Sequence, residues 1–165
     1  MGEGEIDFTD FYEASWAPCF RAVVATVGNA HLAEELVAEA FAKAWASWRK
    51  VSRHPAARAW VVRTALNTGV GWWRRHGREL PLADVEIAVS MDTGDGLDAT
   101  LLRALRRLPA RQREVIALRI FLDLDTATTA RQMGIAPGTV KAHLFNAAAT
   151  LRSELASLED TPCTT

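Results

Sequence analysis

The 165-residue sequence predicts an all-α protein of two small helical domains joined by an acidic linker. Three observations carry that reading. Apolar residues recur at spacings of three and four almost throughout, as in helices that bury one face. No alternation of apolar and polar residues is long enough to seed a sheet. The charge is also segregated. Residues 1–50 hold four basic residues against eight acidic ones, and residues 51–80 hold six arginines against Glu79. Residues 81–100 hold five acids and no base, and residues 101–155 hold nine bases against four acids. A net charge of -1 therefore conceals two basic surfaces on either side of a polar spacer, a pattern that leaves room for an anionic partner such as nucleic acid.

Each element has its own signal. Over residues 8–27, Phe8, Phe11, Tyr12, Trp16, Phe20 and Val23 or Val24 form the first stripe. Gly28-Asn29 punctuates it, and Asn29 is a suitable N-cap for the next helix. That helix, His31 to Trp48, carries Leu32, Leu36, Val37, Ala40, Phe41, Ala44, Trp45 and Trp48, with Phe41 and Trp45 expected in the core. Pro55 opens a third helix that runs through Trp60, Val61, Ala65 and Leu66 to Trp72-Trp73. The first domain is thus expected over 6–77 and the linker over 78–97, where Pro81, Gly94, Gly96, Asp84, Glu86, Asp92 and Asp95 interrupt any regular pattern. The second domain, 98–158, reads as four helices at about 98–108, 111–122, 126–133 and 137–157.

Several function classes are excluded. No run approaches ~18 consecutive apolar residues, so no membrane span is expected. The start, Met1-Gly2-Glu3-Gly4-Glu5, is acidic and lacks the apolar stretch of a secretory signal, so the expected compartment is the cytoplasm. Two cysteines, Cys19 and Cys163, make neither a disulfide framework nor a zinc spacing. His31, His54, His76 and His143 are scattered, so neither a metal site nor a catalytic constellation emerges, and no cofactor is implied.

The segment Thr126-Ala-Thr-Thr-Ala-Arg-Gln-Met-Gly-Ile-Ala-Pro-Gly-Thr-Val140 is a short helix, a glycine turn and a longer helix. Gly134 supplies the left-handed turn residue at low steric cost. Ile135 and Val140 are placed to lock the two helices, and Pro137 suits a first helical turn. This is a helix-turn-helix pattern, whose second helix has the diameter to enter a major groove. An ordinary helical hairpin with a solvated face fits the same pattern.

The stretch Leu105-Arg-Arg-Leu-Pro-Ala-Arg-Gln-Arg-Glu-Val-Ile-Ala-Leu-Arg119, followed by Gly134-Ile-Ala-Pro-Gly-Thr-Val-Lys-Ala-His-Leu144 and Leu151-Arg152, resembles region 4 of bacterial sigma-70-family factors. The nearest group is the small extracytoplasmic-function type. Ala33-Glu-Glu-Leu-Val-Ala-Glu-Ala-Phe-Ala-Lys-Ala-Trp45 resembles region 2.2. Ala59-Trp-Val-Val-Arg-Thr-Ala-Leu-Asn67 and Trp72-Trp-Arg-Arg75 resemble regions 2.3 and 2.4. The resemblance spans about residues 8–156, with both motif sets in the family's order.

The resemblance implies a non-enzymatic subunit that binds core RNA polymerase and directs promoter-specific initiation. Its partners would be the clamp coiled coil of the largest subunit, the flap of the second largest, promoter DNA and an anti-sigma factor. For the clamp, the matching positions are Glu35, Leu36, Glu39 and Lys43, where acids flank an apolar ridge. For the −10 element they are Arg63, Asn67, Trp72, Trp73, Arg74 and Arg75. Opening DNA calls for aromatic faces under unstacked bases and cations on phosphates, and Trp-Trp-Arg-Arg supplies both. For the −35 element they are Arg111 and Arg113 at a helix start, and Pro137, Gly138 and Thr139 where the recognition helix begins. Lys141 and His143 lie on the flanks, the Ala142 methyl suits thymine and Asn146 suits adenine.

This chain departs from the family pattern in ways that carry expectations. Gly69 and Gly71 fall in the third helix, each costing about 1 kcal/mol relative to Ala, so that segment is expected to be bent or loosely ordered. Relatives often carry Arg where this chain has His143, Asn146 and Ala148, which predicts weaker duplex binding and a shallower salt dependence. Phe145 stands where a small polar residue is usual, about 140° from Val140 on the helix wheel. It is a candidate for a protein partner or a thymine methyl. The thinned recognition helix supports an alternative reading, a degenerate sigma-like protein acting through protein contacts alone. A stand-alone helix-turn-helix repressor leaves the Trp-rich first half without a role.

Overall fold

The structure, a computed structural model, describes residues 7–76 and 99–159, and the side chains of 7–69 and 99–157. The expected linker, Cys163 and the side chains of Trp72, Trp73, Arg74, Arg75 and His76 lie outside the described residues. Among the described residues all regular structure is helical, and no helix is long and apolar enough to cross a membrane.

Helix α1 spans Phe8–Val27 and ends on Gly28, whose φ of 73° is the left-handed conformation that lets its N–H reach the Val24 carbonyl. Pro18 sits inside α1, where it cannot donate to the Ala14 carbonyl. A neighbouring helix repairs the gap. The Nη2 of Arg58 donates to the Ala14 carbonyl at 2.9 Å, and its Nε donates to the Oγ of buried Ser15 at 3.0 Å. Helix α2, Ala30–Ala46, begins as the sequence predicts: the Asn29 side chain accepts the Leu32 N–H at 2.9 Å. The predicted stripe to Trp48 is broken at Ser47, and a short α3, Trp48–Val51, follows. Helix α4, Ala57–His76, is entered through His54, whose Nδ1 accepts the Ala56 N–H at 3.0 Å.

Helices α1, α2 and α4 pack on one another. Phe41 is buried among the rings of Phe11, Tyr12 and Trp16, at centroid distances of 5.9, 5.0 and 5.8 Å. Trp45 departs from expectation: it is 62% exposed and touches the core only edge-on through Phe8, at 4.9 Å. It stands one residue before the end of α2, where it meets the first residue of α1. Gly69 and Gly71 do not interrupt α4, which is helical to His76. At Gly69 the reason is packing. A Cβ there would stand 3.0 Å from the Leu36 Cδ1, so the absent side chain lets α2 and α4 approach closely.

The second half holds α5 (Ala99–Arg106), α6 (Ala110–Ile116), α7 (Thr126–Met133) and α8 (Pro137–Glu159). The predicted helix over 111–122 is α-helical only to Ile116. It then widens into a π-helical turn, Ala117–Phe121, closed by the Leu122 N–H on the Ala117 carbonyl. Asp125 caps α7 by accepting the Thr128 N–H, and Gly134, at φ 66°, ends it. Helices α5, α6 and α7 pack on α8, with Leu105, Leu118, Val115 and Val140 fully buried.

The two predicted helical domains also pack on each other. Helix α1 also packs on α5, α6 and the π-helical turn, and one continuous cluster of buried residues runs through both halves. The C-terminal end of α1 is built for this. Ala22, Val23, Val24 and Ala25 are four consecutive buried residues, so the helix is apolar all round where it is covered on both sides.

Candidate nucleic-acid interface

Helix α2 turns its Leu32, Leu36, Val37, Ala40 and Phe41 face inward, which leaves Glu35, Glu39 and Lys43 on the outer side. Glu39 and Lys43 pair at 2.8 Å, one turn apart. The Lys43 Nζ also donates to the Thr68 Oγ1 at 3.0 Å, which ties the outer face of α2 to α4. Glu35 sits 3.5 Å from His31. Leu36, predicted as part of this face, belongs to the core instead: it is 3% exposed and lies against Gly69. The apolar ridge expected between the acids is thus the inner wall of the bundle.

The sequence-predicted DNA residues fall in two settings. Arg63 and Asn67 on α4 face a cleft between the halves, about 630 Å³ in volume. Thr26 and Val27 form one end of it, and Ala110, Arg111, Arg113 and Glu114 of α6 form the facing wall. Residues predicted for two separate DNA elements therefore share one cavity. Arg111 and Arg113 do not stand free at a helix start, as the sequence suggested. Arg111 is held by Glu114 at 2.9 Å. Arg113 is partly buried, and its Nε is buried without a hydrogen-bond partner. Burial first, and the neighbouring Arg106 charge second, lower the Arg113 pKa below the ordinary guanidinium value. Arg106 in turn lies across Gly28: a Cβ on that glycine would meet the Arg106 Cγ at 3.1 Å. Crowded cations with one acid among them make this wall strongly electropositive.

Helix α8 is the second setting. Val140 and Ala147 are fully buried, and Ile135 packs at the turn, so α7 and α8 are locked as the sequence predicts. Pro137, Gly138, Thr139, Lys141, Ala142 and Asn146 are all exposed in the first turns of α8. Gly138 has open space where a Cβ would be. His143, predicted on the flank, is half-buried. Phe145 is 74% exposed. Cys19, in contrast, is sealed in the core, where burial pushes its thiol up to about 12 against the opposing pull of Arg58, so it is chemically inert.

This arrangement of a three-helix bundle and a helix-turn-helix matches known proteins. The sigma-70 region 2 family matches residues 17–79, and the sigma-70 region 4 family matches residues 98–151. An RNA polymerase sigma-E factor of Streptomyces antibioticus is 31% identical over 159 residues, covering 94% of this chain and 88% of the relative. The ECF RNA polymerase sigma factor SigL of Mycobacterium tuberculosis is 31% identical over 162 residues, covering 89% and 88%. The sigma factor RpoE of Bartonella quintana, solved with the anti-sigma factor NepR, superposes with a TM-score of 0.77 at 24% identity. That match covers 91% of this chain and 97% of RpoE, and it shows the shared fold. The chain belongs to the sigma-70 family of RNA polymerase sigma factors, in the extracytoplasmic-function group. Within that group it is an alternative sigma factor, directing transcription initiation.

Proposed function

We propose that this sigma factor joins core RNA polymerase through the outer face of α2 and reads promoters at two elements, through α4 and α8. The observation that carries the reading is the open first half of α8, where Thr139, Lys141, Ala142 and Asn146 stand exposed on a helix locked from behind by Val140 and Ala147. A hydroxyl, a cation, a methyl and an amide on one accessible helix face are the groups that contact phosphates and base edges in a major groove. Glu35, Glu39 and Lys43 support docking on the polymerase, because they present charge outward from a rigid bundle face.

The cleft adds a requirement. Arg63 and Asn67 face α6 across it, so the halves separate when region 2 engages the −10 element. Such separation is the step an anti-sigma partner would oppose, and the RpoE relative was solved with a protein of that class. The test is transcription reconstituted with core polymerase on a pool of promoter sequences. The expected result is initiation at a selected subset, with Asn146→Ala relaxing base preference in the upstream element. A chain that joins the polymerase yet initiates nowhere would be acting through protein contacts alone.

A further inference from the structure

We propose that the cleft between the halves binds a nucleoside monophosphate, its phosphate held by Arg63 of α4 and Arg113 of α6 and its base against the apolar wall beside them. The lining supplies the charge. Three arginines, Arg63, Arg111 and Arg113, stand against Glu114, a net charge of +2. Among the described residues that line the cleft, Glu114 is the only acid, and Arg111 holds it at 2.9 Å. No carboxylate of the cleft is therefore left for Arg63 or Arg113. Arg106 adds a fourth cation at the edge, packed over Gly28 beside Val27. Burial, and then the Arg106 charge, both work against the charged form of Arg113. Docking thus gathers cations from two helices with too little negative charge to balance them. A phosphate monoester carries about −1.5 to −2 charges near neutral pH, and its oxygens match the planar donor fork of a guanidinium. That is the charge the lining lacks.

The size of the cleft and the rest of its wall select the remainder of the ligand. Its volume, about 630 Å³, lies within the range of about 300–1,000 Å³ usual for small-molecule sites. Inorganic phosphate would leave most of it unfilled, and a DNA duplex, whose major groove alone is about 12 Å wide, does not fit. Val27, Leu66 and Ala110 give the cleft an apolar side. Exposed Asn67 adds an amide, which both donates and accepts hydrogen bonds. An apolar wall with one amide suits the flat face and polar edge of a base, whereas a sugar phosphate would set hydroxyls against apolar carbon. A ligand that touches α4 and α6 together binds the docked halves better than separated ones, so it favours docking. Its consequence for initiation rests on the proposed function, in which the halves separate at the promoter: there the bound nucleotide is a restraint.

The test is isothermal titration calorimetry on the full chain, in a buffer free of phosphate, with AMP and GMP compared against adenosine and inorganic phosphate. The expected result is one saturable site for at least one nucleotide. Inorganic phosphate should bind about tenfold more weakly or worse, for want of the apolar contact, and adenosine more weakly still. Arg63→Gln and Arg113→Gln should each weaken nucleotide binding by about tenfold, as expected for a lost charge-assisted hydrogen bond. Lys50→Gln removes an exposed cation of α3, at the other end of α2 from the cleft, and should leave binding unchanged. Circular dichroism checks folding, and two arginine variants on different helices keep the test standing if one of them fails to fold. Bound nucleotide should also slow hydrogen exchange of the amides in α6 and at the end of α1, where the halves meet. No nucleotide binding, equal binding of inorganic phosphate, or a loss with Lys50→Gln as large as the arginine losses overturns the site. Binding without slower exchange overturns the bridging of the halves. None of these measurements involves DNA or polymerase, so promoter reading through α4 and α8 stands or falls separately.

Discussion

Helices α4 and α8 carry the two sets of DNA-reading candidates, and the fold treats them oppositely. Helix α8 is covered along one side and open along the other, with Gly138, Lys141, Ala142 and Phe145 all exposed. Helix α4 is packed by α1 and α2, and its Arg63 and Asn67 look into a cleft walled by α6. On the proposed reading, the difference lies in what each helix must do before it meets DNA. The face of α8 is ready as folded. On the same reading, the face of α4, where Asn67 is exposed and Arg63 half-buried in the cleft, has room for DNA when the second half moves away from α1. One chain would then carry a preformed contact and a conditional one, the condition being the packing of α1 on α5, α6 and the π-helical turn.

The strongest way to break that comparison is to fix the interface. Thr26→Cys with Ala110→Cys places thiols on opposite walls of the cleft. Cys163→Ser removes a competitor, and buried Cys19 does not react. Tying the pair with a short cleavable linker should cut promoter-directed transcription by about a hundredfold, as expected when the open population is removed. Cleavage should restore it. Duplex binding by the tied chain through α8 should persist. Undiminished transcription from the tied chain would show that region 2 works with the halves docked.

The same substitution on the two helices sharpens the contrast at smaller scale. Gly69→Ala places a methyl 3.0 Å from the buried Leu36 Cδ1, and overpacking of this kind costs about 1–3 kcal/mol against about 1 kcal/mol of helix propensity gained. Gly138→Ala meets nothing within 4 Å and only gains propensity. Urea denaturation should therefore rank Gly138→Ala above Gly69→Ala by about 1–3 kcal/mol, since the propensity gain is common to both. Equal stabilities would mean that α2 and α4 can separate slightly at no cost, and that α4 is no more constrained than α8.

Much of this was legible in the sequence. The helix spans, the Asn29 cap, the Gly134 turn and the lock made by Ile135 and Val140 follow from local chemistry, which a short window contains. Several departures are long-range. Pro18 deprives the Ala14 carbonyl of its helical donor, and Arg58, far along the chain, supplies another. Leu36 reads as an interface ridge because its partner is a glycine, which leaves no side chain to suggest contact. Trp45 extends an apolar stripe in sequence, but it falls at the end of α2, where it meets Phe8 at the start of α1 and stays 62% exposed. The docking of the halves did leave a trace: four consecutive apolar residues, Ala22 to Ala25, are more than a one-sided helix needs. The roles of Arg111 and Arg113 depend on that docking, so they could not be read without it.

The smallest expected effect separates the halves by pH. Each has a helix started by a side-chain acceptor, Asn29 on the Leu32 N–H and Asp125 on the Thr128 N–H, but only the second acceptor titrates. The Thr128 backbone hydrogen bond holds the Asp125 carboxyl below the usual carboxylate range. A depressed pKa contributes stability that is present above the ordinary carboxylate value and lost as pH falls through the folded one. Acid should therefore fray the start of α7 before that of α2. Asp125→Asn keeps an acceptor of similar capping strength and removes the charge, so its α7 amides should show a flatter pH dependence of hydrogen exchange than those of the native chain. The α2 amides should be unchanged. If the α7 profiles of the two proteins coincide, the acid sensitivity of the helix-turn-helix lies in the packing of α7 on α8, and the two caps are equivalent.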